Sequence, residues 1–243
     1  MFFLETHSPL AAAPPGFPRR EGAAYLPGRA LREALLTAAL AYAIQRDEAF
    51  AAEMRRLAQH AFKGSAEGLA AAMEAALLER QPELAALAPA DLQVPEPATH
   101  RVQLLDTRTG EVEGELELEL VEGRMRLEVA VPRELETWLA GATRSYAEAL
   151  AGAEEKALLP ALPEAGPFYQ ELKARTLKSE AWPLRIGYWT PDPEGGRFLA
   201  FERLPAAAQA LEGRFGSRPL PGRVFYDPKE HRTLGWALLG WED

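Results

Sequence analysis

The sequence predicts an α+β chain with an antiparallel sheet, and three observations carry that prediction. Apolar residues recur at helical spacing over 29–45 and 132–159. Between Arg101 and Val131 the period changes to two, the mark of half-buried strands. Pro- and Gly-rich breaks separate these blocks, so each is an element of its own.

Phe2–Thr6 reads as the opening strand, ended by His7-Ser8-Pro9. Ala11 to Ala24 is punctuated by Pro and Gly before Arg19-Arg20 and lacks aliphatic periodicity, which predicts an exposed loop. Pro27-Gly28 then closes a turn, and a helix from about Arg29 to Gln45 carries Leu31, Leu35, Ala38 and Ala39 on its core face. Asp47 caps a second helix reaching about Phe62, and Ser65 opens a third. The proline-bearing stretch from Gln81 to Pro97 is a connection between layers. Val102 and Leu104 mark a strand, and Leu116 to Val131 reads as a β-hairpin turning at Glu122-Gly123, its glutamates forming a solvated face.

Pro132 begins a long helix lasting to about Leu159, with Leu135, Trp138, Leu139, Ala142, Tyr146 and Leu150 on one side. A short helix is expected over Phe168–Leu177, a strand over Trp182–Trp189 interrupted at Gly187, and a turn over 190–196. The remainder reads as a short strand at Phe198–Phe201, a helix from Pro205 and strands at Gly222–Tyr226 and Thr233–Trp241. Two ferredoxin-like (RRM-like) βαββαβ units with helical insertions fit this order, and one distorted unit fits it as well. The expected division is an N-terminal half over 1–97 and a C-terminal half over 98–243.

Composition narrows the function. The 243 residues are 47% apolar and contain no cysteine, which excludes disulfide scaffolds, thiolate metal sites and cysteine nucleophiles. The four histidines stand singly at His7, His60, His100 and His231, so neither a metal centre nor another cofactor is expected. No phosphate-binding glycine loop, serine nucleophile elbow, apolar span of membrane length or export leader is present; a cytoplasmic protein is expected, with no membrane partner and no small-molecule substrate. Asparagine is absent and Arg, Glu, Ala, Leu and Pro dominate, a bias compatible with a heat-adapted host.

The net charge of −9 opposes nucleic-acid binding unless cations are gathered on one face. Such gathering is visible where arginines accompany aromatics: Phe17 with Arg19 and Arg20, Arg185 with Tyr188 and Trp189, Arg223 with Phe225 and Tyr226. Arg29 and Arg32 flank the start of the first helix, whose free N–H groups and partial positive charge suit a phosphate. Each feature also has an ordinary structural explanation, since lone loop or strand aromatics commonly belong to a core and Pro-Gly commonly precedes helices.

The order of motifs resembles the RAMP superfamily of CRISPR effector proteins. Leu4-Glu5-Thr6-His7-Ser8-Pro9-Leu10 resembles the family's opening strand and turn, and Tyr25-Leu26-Pro27-Gly28-Arg29-Ala30-Leu31-Arg32 resembles its Pro-Gly helix start. The back half is most similar to the subunit that caps the backbone at the crRNA 3′ side of type III-A (Csm) complexes. Trp138 to Lys156, Leu184-Arg185-Ile186-Gly187-Tyr188-Trp189 and Pro221 to Leu238 carry that similarity. It implies a crRNA-binding, assembly-capping subunit with crRNA and other effector subunits as partners. Phe17, Arg19, Arg20, Tyr25, Pro27, Gly28, Arg29, Arg32, Arg185 and Arg223 are the expected RNA contacts. Cleaving relatives use an aspartate in the loop after the first strand, whereas no aspartate precedes Asp47 here, which implies a non-catalytic role. A processing endoribonuclease using a histidine, and an acidic scaffold without RNA contact, are the rival readings.

Overall fold

The computed structural model describes residues 2–14, 16–129, 131–178, 180–192 and 196–241, so 193–195 of the expected turn lie outside the described residues. β1 (Phe2–Thr6) is followed by the two-residue β2 (Leu10–Ala11). The predicted loop then folds back as a tight hairpin of β3 (Arg19–Arg20) and β4 (Ala23–Leu26). Glu21 and Gly22 take the positive φ values, 53° and 86°, that a two-residue hairpin turn requires.

Pro27 leads into α1 (Gly28–Arg46), most of whose side chains are buried; its many alanines let neighbouring elements approach closely. α2 (Glu48–Arg56) starts where the Asp47 carboxylate accepts the Phe50 N–H at 3.0 Å, and α3 (Ala66–Arg80) where Ser65 Oγ accepts the Gly68 N–H at 3.1 Å. Both caps fall where the sequence placed them. The connection beyond α3 contributes β5 (Leu92–Gln93), which pairs with β4.

β6 (Ala98–Asp106) and β7 (Val112–Val121) form the long hairpin, and β8 (Arg124–Leu127) follows. This corrects the expected hairpin over 116–131. The chain does turn at Gly123, with φ 126°, but β8 pairs with β1 while β7 pairs with β6 and β2. The turn is captured by the end of β1: Thr6 N–H donates to the Gly123 carbonyl at 3.0 Å and Gly123 N–H to Thr6 Oγ1 at 2.9 Å.

α4 (Arg133–Leu158) and α5 (Gly166–Lys178) precede β9 (Trp182–Arg185), which ends short of Gly187. Phe198–Phe201 is not a strand: Leu199–Arg203 closes a 3₁₀ turn. α6 (Pro205–Phe215), β10 (Arg223–Asp227), β11 (Arg232–Thr233) and β12 (Trp236–Trp241) complete the chain. The expected closing strand is interrupted at Gly235, whose φ of 91° lets its N–H reach the Pro9 carbonyl at 2.8 Å.

All the recorded strand pairs are antiparallel. Besides the small β3-β4-β5 sheet, one larger sheet runs β8-β1-β12-β9 and the other β11-β10-β6-β7-β2. Each of these two larger sheets draws strands from both sides of residue 97, since β1 lies between β8 and β12 and β2 pairs with β7. α4 packs along α1 and β9, burying Leu135, Leu139, Tyr146 and Leu150. Burying a leucine fully is worth roughly 1.5–3 kcal/mol, so this seam is a main source of stability. The architecture is α+β with antiparallel sheets, as the sequence predicts.

Candidate nucleic-acid interface

The β3–β4 hairpin and the start of α1 bring Arg19, Arg20, Tyr25, Pro27, Gly28, Arg29 and Arg32 to one corner. The connection at 87–96 straps across it. Gly28 N–H donates to Asp91 Oδ1 at 3.0 Å, and Asp91 Oδ2 lies 3.0 Å from Arg20 Nη2. Arg32 Nε donates to the Leu87 carbonyl at 3.2 Å and its guanidinium stands 3.8 Å from Glu74. Arg19 pairs with Glu96 at 3.0 Å and Glu119 at 3.6 Å. The Arg20 guanidinium lies 5.1 Å from the centre of the Tyr25 ring.

The expected open phosphate position at the helix start is therefore filled from within, by a carboxylate that satisfies the same free N–H and the same positive end of the helix. Gly28 is needed for that closure: a Cβ there would overlap the Pro89 carbonyl oxygen and lie 2.8 Å from that of Ala90. Pro27 supplies the bend, with no side-chain cap of its own. Arg29 is exposed and has no carboxylate partner among the described residues, and Arg20 keeps 70% of its side chain in solvent. These two cations face water most freely.

Two expected contacts are corrected. Phe17 is only 5% exposed and belongs to the core, its N–H held by Glu119 Oε2 at 2.7 Å, so its ring has no open face for a base. Arg185 has a side-chain exposure of 0%. Its Nη1 donates to Glu154 Oε2 at 2.8 Å, and its guanidinium lies 4.4 Å and 4.6 Å from the rings of Trp189 and Trp236. Tyr169 Oη and Thr233 Oγ1 donate to the same Glu154 oxygen, each at 3.1 Å. Arg185 is the cation of a closed box joining α4, α5, β9, β11 and β12, out of a phosphate's reach. Burial pushes the phenols of Tyr146 and Tyr169 well above the ordinary tyrosine value, so both remain neutral.

Arg223 stands apart from the corner. It pairs with Asp192 at 3.2 Å and lines an open depression of about 400 Å³ together with Arg108, Arg218, Asp106 and Glu113. Cations and carboxylates are balanced there, and Arg108 beside Asp106 holds that carboxyl below its usual range. Sequence reasoning missed a further basic grouping, in which Arg46, Arg144 and Arg203 border a groove between α1 and α4. No signal along the chain links these three, because they come from two helices and a 3₁₀ turn.

His7 stacks on Phe168 at 5.3 Å, and burial, then the Arg175 charge, lower its pKa. His231 Nδ1 meets Tyr226 Oη at 3.0 Å. Among the described residues, no group of three or more His, Asp or Glu side chains could hold a metal ion, and no helix is long and apolar enough to cross a membrane.

No protein-family model matches the chain. An uncharacterized protein of Aquifex aeolicus (strain VF5) is 26% identical over 238 residues, which is 95% of either chain. Among solved structures, a chain of the Csm-crRNA-target RNA ternary complex of a type III-A CRISPR-Cas system is similar with a TM-score of 0.62 and 16% identity, over 92% of this chain and 74% of that one. Csm5 of T. onnurineus is similar with a TM-score of 0.56 and 16% identity, over 91% of this chain and 73% of its own. Over nearly its whole length, the chain has the fold of these Csm subunits.

Proposed function

We propose that the chain is a non-catalytic, crRNA-binding and assembly-capping subunit of a type III CRISPR effector complex in the cytoplasm. What chiefly supports the reading is the similarity, across more than nine-tenths of the chain, to a chain of a Csm-crRNA-target RNA complex and to Csm5. The arginine corner supplies the chemistry. Arg20 and Arg29 neutralise guide phosphates, Tyr25 under Arg20 offers a stacking surface, and Arg19 and Arg32 join once the strand reaches them. Arg223 extends the contact at the depression it lines. The acidic remainder faces solvent and neighbouring subunits.

The test is binding of crRNA by the purified chain at low salt, alone and together with a backbone subunit. Binding that Arg20→Glu with Arg29→Glu weakens similarly for all RNA sequences is expected, because phosphate contacts carry no sequence information. Failure to bind in both formats overturns the proposal. Discrete metal-free cleavage of repeat RNA that His7→Ala or His231→Ala abolishes would replace it with the endoribonuclease reading.

A further inference from the structure

The groove between α1 and α4 lies at the opposite end of α1 from the arginine corner, and nothing in the resemblance assigns it a role. It is an open depression of about 490 Å³ bordered by Arg46 and Gln45 of α1, Arg144 and Ser145 of α4, and Arg203 of the 3₁₀ turn. Among the described residues, Glu148 is the one carboxylate lining it. Arg46 and Arg203 are exposed and have no carboxylate partner among the described residues, while Arg144 also has contacts within the protein. The two unpartnered guanidinium groups of Arg46 and Arg203 against the single carboxylate that lines the groove among the described residues leave a net positive potential, and a bound anion would relieve their mutual repulsion.

The other groups define the kind of anion. Ser145 Oγ donates to Gln45 Oε1 at 2.8 Å, which fixes the carboxamide and leaves its N–H₂ as a further donor. Tyr42 lies in the same groove, its ring edge-on to Trp138 at 5.4 Å with the Arg46 guanidinium 5.1 Å from its centre. The absence of a side chain at Gly141 gives the phenol its room, since a Cβ there would sit 3.1 Å from Tyr42 Oη. Planar guanidinium forks match phosphate oxygens, and half-exposed aromatics beside them accept bases irrespective of sequence. Arg29 and Arg46 are separated by seventeen residues of one helix, about 25 Å at 1.5 Å per residue, a span that a few nucleotides of extended strand cover.

We infer that this groove is a second binding site for the phosphodiester backbone of single-stranded RNA, with Arg46 and Arg203 as its phosphate contacts and Tyr42 as its stacking platform. The identity of the strand rests on the RNA-binding reading above. The position of the site does not.

The test measures binding of a fluorescent single-stranded oligouridylate to the full chain across a salt series, for the native protein, for Arg46→Glu with Arg203→Glu, and for Arg20→Glu with Arg29→Glu. Thermal unfolding of each variant checks that it is folded, and Arg46→Gln with Arg203→Gln serves if the charge reversal is not. The groove variant is expected to bind at least about tenfold more weakly, with a log–log salt slope shallower by about 1.4, two contacts at roughly 0.7 each. A groove variant that binds like the native chain while the corner variant loses binding overturns the inference and leaves the function standing. Unchanged RNA binding with lost assembly onto a neighbouring subunit also overturns it, making the groove a protein-docking surface. A native chain that binds no RNA, either alone or together with a backbone subunit, refutes both.

Discussion

Arg20 and Arg185 are the same residue type, each a few residues from aromatic side chains in sequence, and the fold puts them to opposite uses. Arg20 sits on an exposed hairpin with Asp91 as a solvent-facing partner, while Arg185 is sealed between two tryptophans with Glu154. The difference comes from what arrives out of distant sequence. Glu154 is delivered by α4 into the interior, where removing either partner strands the other as an unpaired buried charge. Asp91 is delivered by a strap to the surface, where its ion pair is worth little and can be exchanged for another anion.

The contrast breaks most visibly in the interior. Arg185→Met leaves Glu154 buried without its cation and is expected to destabilise the fold by about 3–5 kcal/mol, read as a large fall in the midpoint of thermal or denaturant unfolding. Arg185→Met with Glu154→Leu should recover much of that loss, because the pair is removed together. A single variant as stable as the native protein would mean that Arg185 is not the cation of a closed box.

At the corner the effects are smaller and more local. Gly28→Ala drives a methyl into the Pro89 carbonyl and is expected to cost about 1–3 kcal/mol, with increased hydrogen exchange confined to 87–94 and the first turn of α1. Uniform loosening would contradict the strap. Asp91→Asn should change stability by less than about 1 kcal/mol, since its pair with Arg20 is exposed. Yet it should raise RNA affinity, because the internal anion no longer competes at the helix start. Unchanged or lower affinity would make Asp91 a bystander.

How much of this was legible depended on the range of the interaction. The long helices, the caps at Asp47 and Ser65 and the break at Gly187 follow from local chemistry, and the structure holds them where the sequence predicts. The turn at Gly123 was also legible as a turn. Its exchange of sheets was not, because β8 is claimed by β1, more than a hundred residues earlier. Two-residue strands such as β2, β3 and β5 are too short to show a period. The corner's arginines were visible as a cluster, but the carboxylates that engage them, Glu74, Asp91, Glu96 and Glu119, come from stretches of the chain far along the sequence. The groove was invisible for the same reason, its cations being assembled only where α1, α4 and the 3₁₀ turn come together.

The central claim is that an acidic chain holds guide RNA through a locally basic surface, and the salt dependence of crRNA binding tests it most directly. The account predicts an affinity that falls steeply with salt for the native chain, alone or with its backbone partner, and a shallower dependence for Arg20→Glu with Arg29→Glu whatever the RNA sequence. A native chain with no salt-sensitive binding in either setting, still assembling with its partner, would contradict it and identify a scaffold that never touches the guide.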